Sequence, residues 1–391
     1  GRRTTRREPC SFLSWNANSL PGRCKEENNA KALRAMVQEH SPDIIAIQEV
    51  RMTAHGPAGA KKGDGRPRDR SRAGEGQKAS DEDLRTVKSL LDTAPFSGYR
   101  RFFSLAEWRY AGTALLVKKS LAPPKITYEF GDGVDTFAGH DENGRIIVAE
   151  FPSGLRVLNT YVPMNGWSEE KNFGRRRAWD ARMLAFASRA KEEGRDFVWL
   201  GDLNVAHQDC DVSDPTWFRA QKDRGKNGVP VPAVPPEDKG QPGYSQTEQR
   251  RFGEILEAGG LVDTFRAIHP ALPPPDAGSA SFSWRGSAHK TDIYYNRGMR
   301  VDYVCVSERL QARVRSSVVL GSGPERKGFC GSDHAPILCV LSPEGAPPPS
   351  AAPNPSSTAD PPSTALPPNG ASPSINSAPG ADKPPSSTAE P

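Results

Sequence analysis

The stretch Val198-Trp199-Leu200-Gly201-Asp202-Leu203-Asn204 decides how this chain is read. A run of bulky apolar residues from about 196 to 201 breaks abruptly at Gly and Asp. Such a pattern predicts a buried strand that ends, at a turn, in two polar groups. A single strand-end Asp is commonly a turn former or a helix cap. The meaning of Asp202 and Asn204 therefore depends on what ends the other strands.

Working outward, the same event recurs at four more places. Ser11-Phe12-Leu13-Ser14-Trp15 breaks at Asn16-Ala17-Asn18, and the apolar run 43–50 carries Ile47-Gln48-Glu49. The strand expected over 155–162 ends in Asn159-Thr160-Tyr161-Val162-Pro163. The fifth place pairs Val301-Asp302 with Gly331-Ser332-Asp333-His334. A buried strand that ends in Asp, Glu, Asn or His projects that group at the rim of a sheet. Several strands doing so converge on one site.

Between these points strands and helices alternate. Residues 27–40 predict an amphipathic helix with Ala30, Leu33 and Val37 on one face, closed by Ser41-Pro42. Further helices are expected over 171–192 and 245–258, and strands over 112–118, 145–151, 281–285, 300–306, 316–320 and 335–341. Residues 208–243 read as a long loop. The alternation predicts one α/β domain of roughly 330 residues. It spans 10–341, behind a basic arm over 1–9 that holds four arginines between Gly1 and Glu8. An irregular, disordered insertion is expected over about 53–82, where periodicity and aromatic residues vanish. Its seven Lys/Arg between 61 and 78 read as a solvated loop or as phosphate contacts. Residues 342–391 are dominated by Pro, Ser, Ala and Thr, without an aromatic, and predict a disordered tail. Ordered structure is expected to resume near Leu84.

Composition narrows the class. Of 391 residues only 36% are hydrophobic, and the tail accounts for much of that deficit. The net charge of +5 is a mild basic bias that suits a polyanionic partner without requiring one. No apolar run approaches the ~20 residues a membrane helix needs, so no membrane partner is expected. The six cysteines form no CxxC pair, which argues against a structural zinc site and for thiols in a reducing compartment.

Taken together, the five strand ends resemble the endonuclease/exonuclease/phosphatase superfamily, and within it the exonuclease III-like class II AP (apurinic/apyrimidinic) endonucleases. The likeness rests on Gln48-Glu49, Tyr161-Val162-Pro163, Gly201-Asp202-Leu203-Asn204-Val205-Ala206-His207, Arg300-Val301-Asp302-Tyr303 and Gly331-Ser332-Asp333-His334-Ala335-Pro336. Gly243-Tyr244-Ser245, Glu248, Arg250-Arg251-Phe252 and Leu261-Val262-Asp263-Thr264-Phe265-Arg266 extend it. The resemblance implies a DNase I-like, four-layer α/β sandwich with two central mixed β-sheets flanked by helices. It implies Mg²⁺, with Mn²⁺ as a substitute, and double-stranded DNA carrying abasic sites as partner. The chain is expected to act as a nuclear monomer, an organelle being the alternative location, with other repair proteins reached through the tail.

The chemistry explains the residue types. Phosphodiester cleavage gathers charge on phosphoryl and leaving oxygens, so it needs a hard cation and oriented donors. Mg²⁺ keeps several waters and takes one or two carboxylates. The resemblance makes Glu49 its ligand, Asn18 a second ligand or a supporting group, and Asp333 a ligand or the holder of a metal-bound water. Asp202, Asn204 and His334 border the same metal position. Asp202 is the general base or the orienter of the attacking water. Asn204 donates to the phosphoryl oxygen or places the water, and Tyr161 gives its phenol to the phosphate. Asp302 holds His334 in one tautomer, and Asn16 supports the site.

Substrate choice falls, by the same resemblance, to an apolar pocket of Trp284, Met299 and Val301, with Arg51, Arg297 and Arg300 on backbone phosphates. Two positions depart from the family. Met164 stands where relatives carry Asn, so either Asn165 substitutes or a contact is lost. Trp167 stands where some carry Arg, and it either stacks into the duplex or packs on the helix of Trp179. The rivals are another phosphodiesterase of the superfamily, such as a deadenylase or a DNase I-like nuclease, and a non-catalytic DNA-binding member. The pocket and Val205-Ala206-His207 argue against the first, and the filled metal and histidine positions against the second.

Overall fold

In the computed structural model, residues 7–74, 78–132, 140–167, 169–221, 235–270 and 281–344 are described. Most strands belong to two six-stranded mixed sheets. The first contains, in spatial order, β15 (Val314–Val319), β16 (Ile337–Leu341), β1 (Ser11–Asn16), β2 (Ile44–Gln48), β6 (Thr113–Lys118) and β5 (Tyr99–Ser104). The second runs β11 (Leu261–Asp263), β14 (Asp302–Ser307), β10 (Phe197–Asp202), β9 (Arg156–Tyr161), β8 (Ile146–Glu150) and β7 (Lys125–Thr127). Two short hairpins, β3 (Ala54–His55) with β4 (Asp69–Ala73) and β12 (Trp284–Arg285) with β13 (Gly298–Met299), complete the strands. The helices are α1 (Leu20–Lys25), α2 (Glu27–His40), α3 (Lys78–Leu91), α4 (Glu170–Glu192), α5 (Pro215–Arg219), α6 (Gln246–Gly259), α7 (Thr264–Ile268) and α8 (Glu308–Gln311).

The period of two along each strand builds the layers. Phe12, Ile44 and Ala46 of the first sheet meet Val157, Val198, Leu200 and Val304 of the second in the core between the sheets. The alternate residues Leu13, Trp15, Ile45 and Ile47 face outward onto Leu20, Leu33, Val37 and Leu90 of α1, α2 and α3. On the far side Leu158, Phe197, Trp199 and Cys305 pack on Trp179, Met183, Phe252 and Ile255 of α4 and α6. The architecture is thus the expected four-layer sandwich. Each of these large side chains contributes roughly 1.5–3 kcal/mol by leaving water.

The same parity sets the site. Counting on from the inward-facing Phe12, Ile44, Val157, Val198 and Val304 places Asn16, Gln48, Tyr161, Asp202 and Asp302 on the inner faces. Register aligns them: Asn16 pairs with Gln48, and Asp202 lies between Tyr161 and Asp302. Apolar core gives way to polar side chains at one end of the inter-sheet gap. Beneath that end, Gln48 Nε2 donates to Ser14 Oγ at 3.0 Å and to Asn159 Oδ1 at 2.8 Å, tying the sheets together.

Local sequence explains most boundaries. Helix α2 stops at Ser41, which takes a left-handed φ of 42° before Pro42. Helix α6 starts at a capping box of Ser245 and Glu248 and ends at Gly260. All six cysteines are free. Among the described residues no helix is long and apolar enough to cross a membrane.

The segment 53–82 corrects the expectation of an irregular insertion. It holds β3, β4 and the start of α3. Buried arginines take the place of an apolar face: Arg70 Nη1 donates to Leu105 O at 3.0 Å and Arg68 Nη2 to Lys61 O at 2.7 Å. Ordered structure therefore resumes well before Leu84. The strand expected over 281–285 shortens to β12, and the 208–243 loop contains α5. Of the expected basic arm only residues from Arg7 onward are described, and Arg7 Nη2 pairs with Asp43 Oδ2 at 2.7 Å. The expected tail lies outside the described residues from 345 onward.

Candidate active site

Gly201 is the residue that lets β10 end as it does. Its φ is +143°, and a Cβ there would stand 1.9 Å from Thr160 O. No other residue fits so close to the neighbouring strand. The chain then turns, and Asp202 points into the inter-sheet gap with 1% of its surface exposed.

Four strand ends meet at Asp202. Asn16 Nδ2 donates to Asp202 Oδ2 at 2.8 Å and to Glu49 Oε1 at 3.1 Å, so one amide bridges two carboxylates. Asn204 donates its backbone N–H to Asp202 Oδ1 at 3.0 Å, and its Nδ2 reaches Val162 O at 2.9 Å. Tyr161 hydrogen-bonds Glu49, and Arg51 Nε donates to Glu49 Oε2 at 2.7 Å. On the opposite wall Asp302 Oδ2 lies 2.8 Å from His334 Nδ1. Asn18 Nδ2 donates to Asp333 Oδ1 at 2.8 Å and Trp284 Nε1 to Asp333 Oδ2 at 3.2 Å. All eight residues expected as catalytic or metal-binding therefore share one site, with Asn16 at its centre.

Burial and charge shift their protonation. Burial, reinforced by the nearby Asp302 carboxylate, raises the pKa of Asp202 to about 7. Burial works against a charged His334, but Asp302, then Asp202 and Asp333, overturn that and raise it to about 10. His334 is thus an imidazolium at neutral pH, with Nδ1 fixed on Asp302. Burial and the Glu49 carboxylate hold the Tyr161 phenol protonated. Asn18, Glu49, Arg51 and Asn204 all have positive φ, at 43°, 49°, 51° and 49°. For Glu and Arg that backbone is costly, and such strain concentrates where side-chain placement matters.

These residues fit a hard cation. Glu49, Asp202, Asp302 and Asp333 crowd one end of the gap, and buried Asp302 Oδ1 has no hydrogen-bond partner. One ligand atom each from Asp202, Asp302 and His334 falls within 4.8 Å of the others. That trio is a poor cage, because Asp302 and His334 are committed to each other. Glu49 with Asn18 and Asp333 offers oxygens of the kind Mg²⁺ prefers.

A cleft of about 350 Å³ opens over the site. Trp284, Met299 and Val301 form one side of it, and Glu49, Asp202 and His334 its floor. Met299 and Val301 are also 2% and 5% exposed members of a small core with Val212, Phe218 and Tyr244. They are wall and core at once. Met164 stands exposed at the rim, while Asn165 is buried with Oδ1 unpartnered. Trp167 is half-buried.

Two of the expected phosphate contacts sit elsewhere. Arg300 is fully buried, with Nε 2.9 Å from Asp211 Oδ1 and Nη2 2.7 Å from Asp263 Oδ2, so it is structural. Arg300 lies in the link between β13 and β14, outside the strand alternation, and its side chain runs to Asp211 and Asp263. Arg297 Nη1 pairs with Asp214 Oδ2 at 2.6 Å over the Trp217 ring. Arg51 is tied to Glu49 but remains partly exposed. Two contributors escaped sequence reasoning. Ser283 Oγ accepts from the N–H groups of Val301 and Asp302 at 3.0 Å each, joining pocket to dyad. Arg145 donates to Tyr161 O at 3.0 Å and to the Tyr110 hydroxyl at 2.9 Å. A lone Ser between aromatics and a charge heading an apolar strand were the available signals.

A two-sheet sandwich with acids, an Asn and an Asp–His pair at the strand ends defines a metal-assisted phosphoesterase scaffold. The sequence pattern of the endonuclease/exonuclease/phosphatase family matches residues 13–334, and the chain belongs to that family. It is 40% identical to a DNA-(apurinic or apyrimidinic site) endonuclease of Arabidopsis thaliana, over 86% of this chain and 85% of that protein. It is 27% identical to an exodeoxyribonuclease of Streptococcus pneumoniae, over 84% and 98%. Its fold resembles that of an AP endonuclease from Leishmania major, with TM-score 0.57, 22% identity and coverage of 85% and 87%.

Proposed function

We propose that this protein is a DNA-repair endonuclease that hydrolyses the phosphodiester 5′ to an abasic site, leaving a 3′-hydroxyl and a 5′-deoxyribose phosphate. The observation that carries the reading is one cleft with an acid-rich floor and the apolar wall of Trp284, Met299 and Val301. A sugar without a base fits beside such an apolar wall. The AP endonuclease relatives support the same substrate, and the exodeoxyribonuclease relative supports an added 3′-end activity.

Asp202 takes the proton of the attacking water, a role suited to a carboxylate with a pKa near 7. Water oxygen bonds to phosphorus as the bond to the 3′-oxygen breaks, and the departing 3′-oxygen takes a proton from solvent to become the 3′-hydroxyl. His334, held as imidazolium by Asp302, presents Nε2 to a phosphoryl oxygen and balances its growing charge. Asn204 and Tyr161 orient the phosphate from the other side. Mg²⁺, or Mn²⁺ in its place, would be held by Glu49 with Asn18 and Asp333 and would supply Lewis-acid neutralisation of the charge that develops at phosphorus.

The test compares incision of an abasic duplex, an undamaged duplex and poly(A), with analysis of both ends. Preferred cutting of the abasic duplex, lost in EDTA and restored by Mg²⁺, is expected. Equal rates on all three substrates would remove the assignment.

A further inference from the structure

The corrected segment 53–74 carries the charge asymmetry of the chain. It holds six Lys/Arg against two Asp, while the whole chain is only +5. Its structure sorts those charges. Arg68 and Arg70 are buried and bonded to carbonyls. Asp64 accepts from Arg66 Nε at 2.9 Å, and Glu107 accepts from Gly63 N at 2.6 Å, which pins the loop across to the next turn. Asp64 and Glu107 are thereby committed to the loop's own framework, and Asp69 accepts from Ser71 Oγ at 2.6 Å. Lys61 and Lys62 remain exposed, and among the described residues neither side chain has a carboxylate partner.

Lys62, next to Lys61 in the chain, borders a second cleft of about 590 Å³ together with Arg66 and Arg109, and Trp108 and Tyr110 line the same cleft. Tyr110 belongs to both clefts, and its hydroxyl is tied by Arg145 to Tyr161 of the catalytic floor. Tyr110 is 46% exposed. The second cleft is therefore a continuation of the first. It joins cations to aromatic faces, the combination that holds single-stranded nucleic acid by phosphate pairing and base stacking. In a duplex the base faces are covered, so Trp108 and Tyr110 would have nothing to stack on.

We propose that the 53–74 hairpin and the Trp108–Tyr110 turn form a groove for unpaired DNA nucleotides leading into the catalytic cleft. Lys61 and Lys62 contact phosphates and Trp108 stacks on a base. The assignment rests on the nuclease reading for its direction, but its test measures binding alone.

Full-length protein in EDTA is titrated with a thymidine oligonucleotide and with a blunt undamaged duplex, across a series of salt concentrations. Lys61→Ala/Lys62→Ala should flatten the single-strand salt slope by about 1.4, at roughly 0.7 per phosphate contact. Trp108→Ala should weaken single-strand binding roughly tenfold, and Trp108→Phe should restore most of it. Duplex affinity should move by less than twofold in each variant. Equal losses for both probes would overturn the groove in favour of a general backbone contact, and unchanged single-strand binding would overturn it outright. Because no cleavage is read, failure of the abasic-site assignment leaves these outcomes intact, and the reverse holds too.

Discussion

Two buried charge clusters sit back to back on residues 300–302, and they differ in balance. Behind the apolar wall, Arg300 and Arg266 face Asp211 and Asp263. Burial raises the Asp211 pKa, but Arg300 and Arg266 more than reverse that and leave it low. In front, Glu49, Asp202, Asp302 and Asp333 share His334 and Arg51 as ion-pair partners, with Arg326 acting on Asp333 from farther off. There the Asp202 pKa rises to about 7 and Asp302 Oδ1 goes unpartnered. A balanced cluster is a strut. An unbalanced one stores an electrostatic demand that a cation, a proton or a phosphate can meet.

Removing the demand is the strongest way to test that contrast. Asp202→Asn should cut turnover on an abasic duplex by roughly 10³-fold or more, in the range of lost acid–base catalysis combined with lost water placement. Because the carboxylate is held against its desolvation, the melting temperature should stay level or rise. A variant with near-normal turnover, or one that is strongly destabilised, would erase the distinction between the clusters.

The opposite result is expected behind the wall. Arg300→Met leaves Asp211 and Asp263 buried with Arg266 alone, and breaking a buried pair in this way costs about 3–5 kcal/mol. Urea unfolding reads that loss, while the folded fraction should still incise abasic DNA. Little loss of stability would mean that the balanced cluster is no strut.

The contrast was only half legible in the sequence. Strand-end residues Asn16, Glu49, Tyr161, Asp202, Asp302 and His334 announced themselves because a period of two makes any polar residue at the end of an apolar run conspicuous. Most strands were legible as short apolar runs and α4 and α6 as helical patterns, but β5, β7 and β11 were not, and the assembly into two sheets came from the family resemblance. Arg300 misled, because its guanidinium is taken up by a buried ion pair whose partners lie 37 and 89 residues away. Long-range pairing of that sort leaves no local pattern. The 53–82 segment misled for a related reason, since its arginines are buried on backbone carbonyls and carry no apolar stripe to read.

A third prediction sharpens the charge argument within the front cluster. His334 keeps its proton until about pH 10 because carboxylates outweigh its burial, Asp302 first among them. Its folded pKa lies above the unfolded value near 6.5. The pairing therefore stabilises the fold fully below that value, and the contribution disappears as pH rises through about 10. Asp302→Asn removes the largest of the influences that oppose burial, so the His334 pKa should fall. The alkaline limb of kcat/KM should move to lower pH by a unit or more, each unit being about 1.4 kcal/mol. An alkaline limb that stays in place would show that Asp302 orients the imidazole without setting its charge.

The smallest expected effect lies where the apolar wall touches the charged floor. Trp284 Nε1 donates to Asp333 Oδ2, so the residue that shapes the pocket also steadies one of the surplus carboxylates. Trp284→Phe keeps an aromatic wall and removes that single hydrogen bond. At about 1 kcal/mol for a partly exposed bond, a roughly fivefold change is expected. It should appear as a higher Mg²⁺ requirement with preference for abasic over undamaged DNA retained, because the wall survives and only the carboxylate is loosened. If preference fell while the metal titration stayed put, Trp284 would belong to substrate selection alone, and the floor and wall of the cleft would be independent.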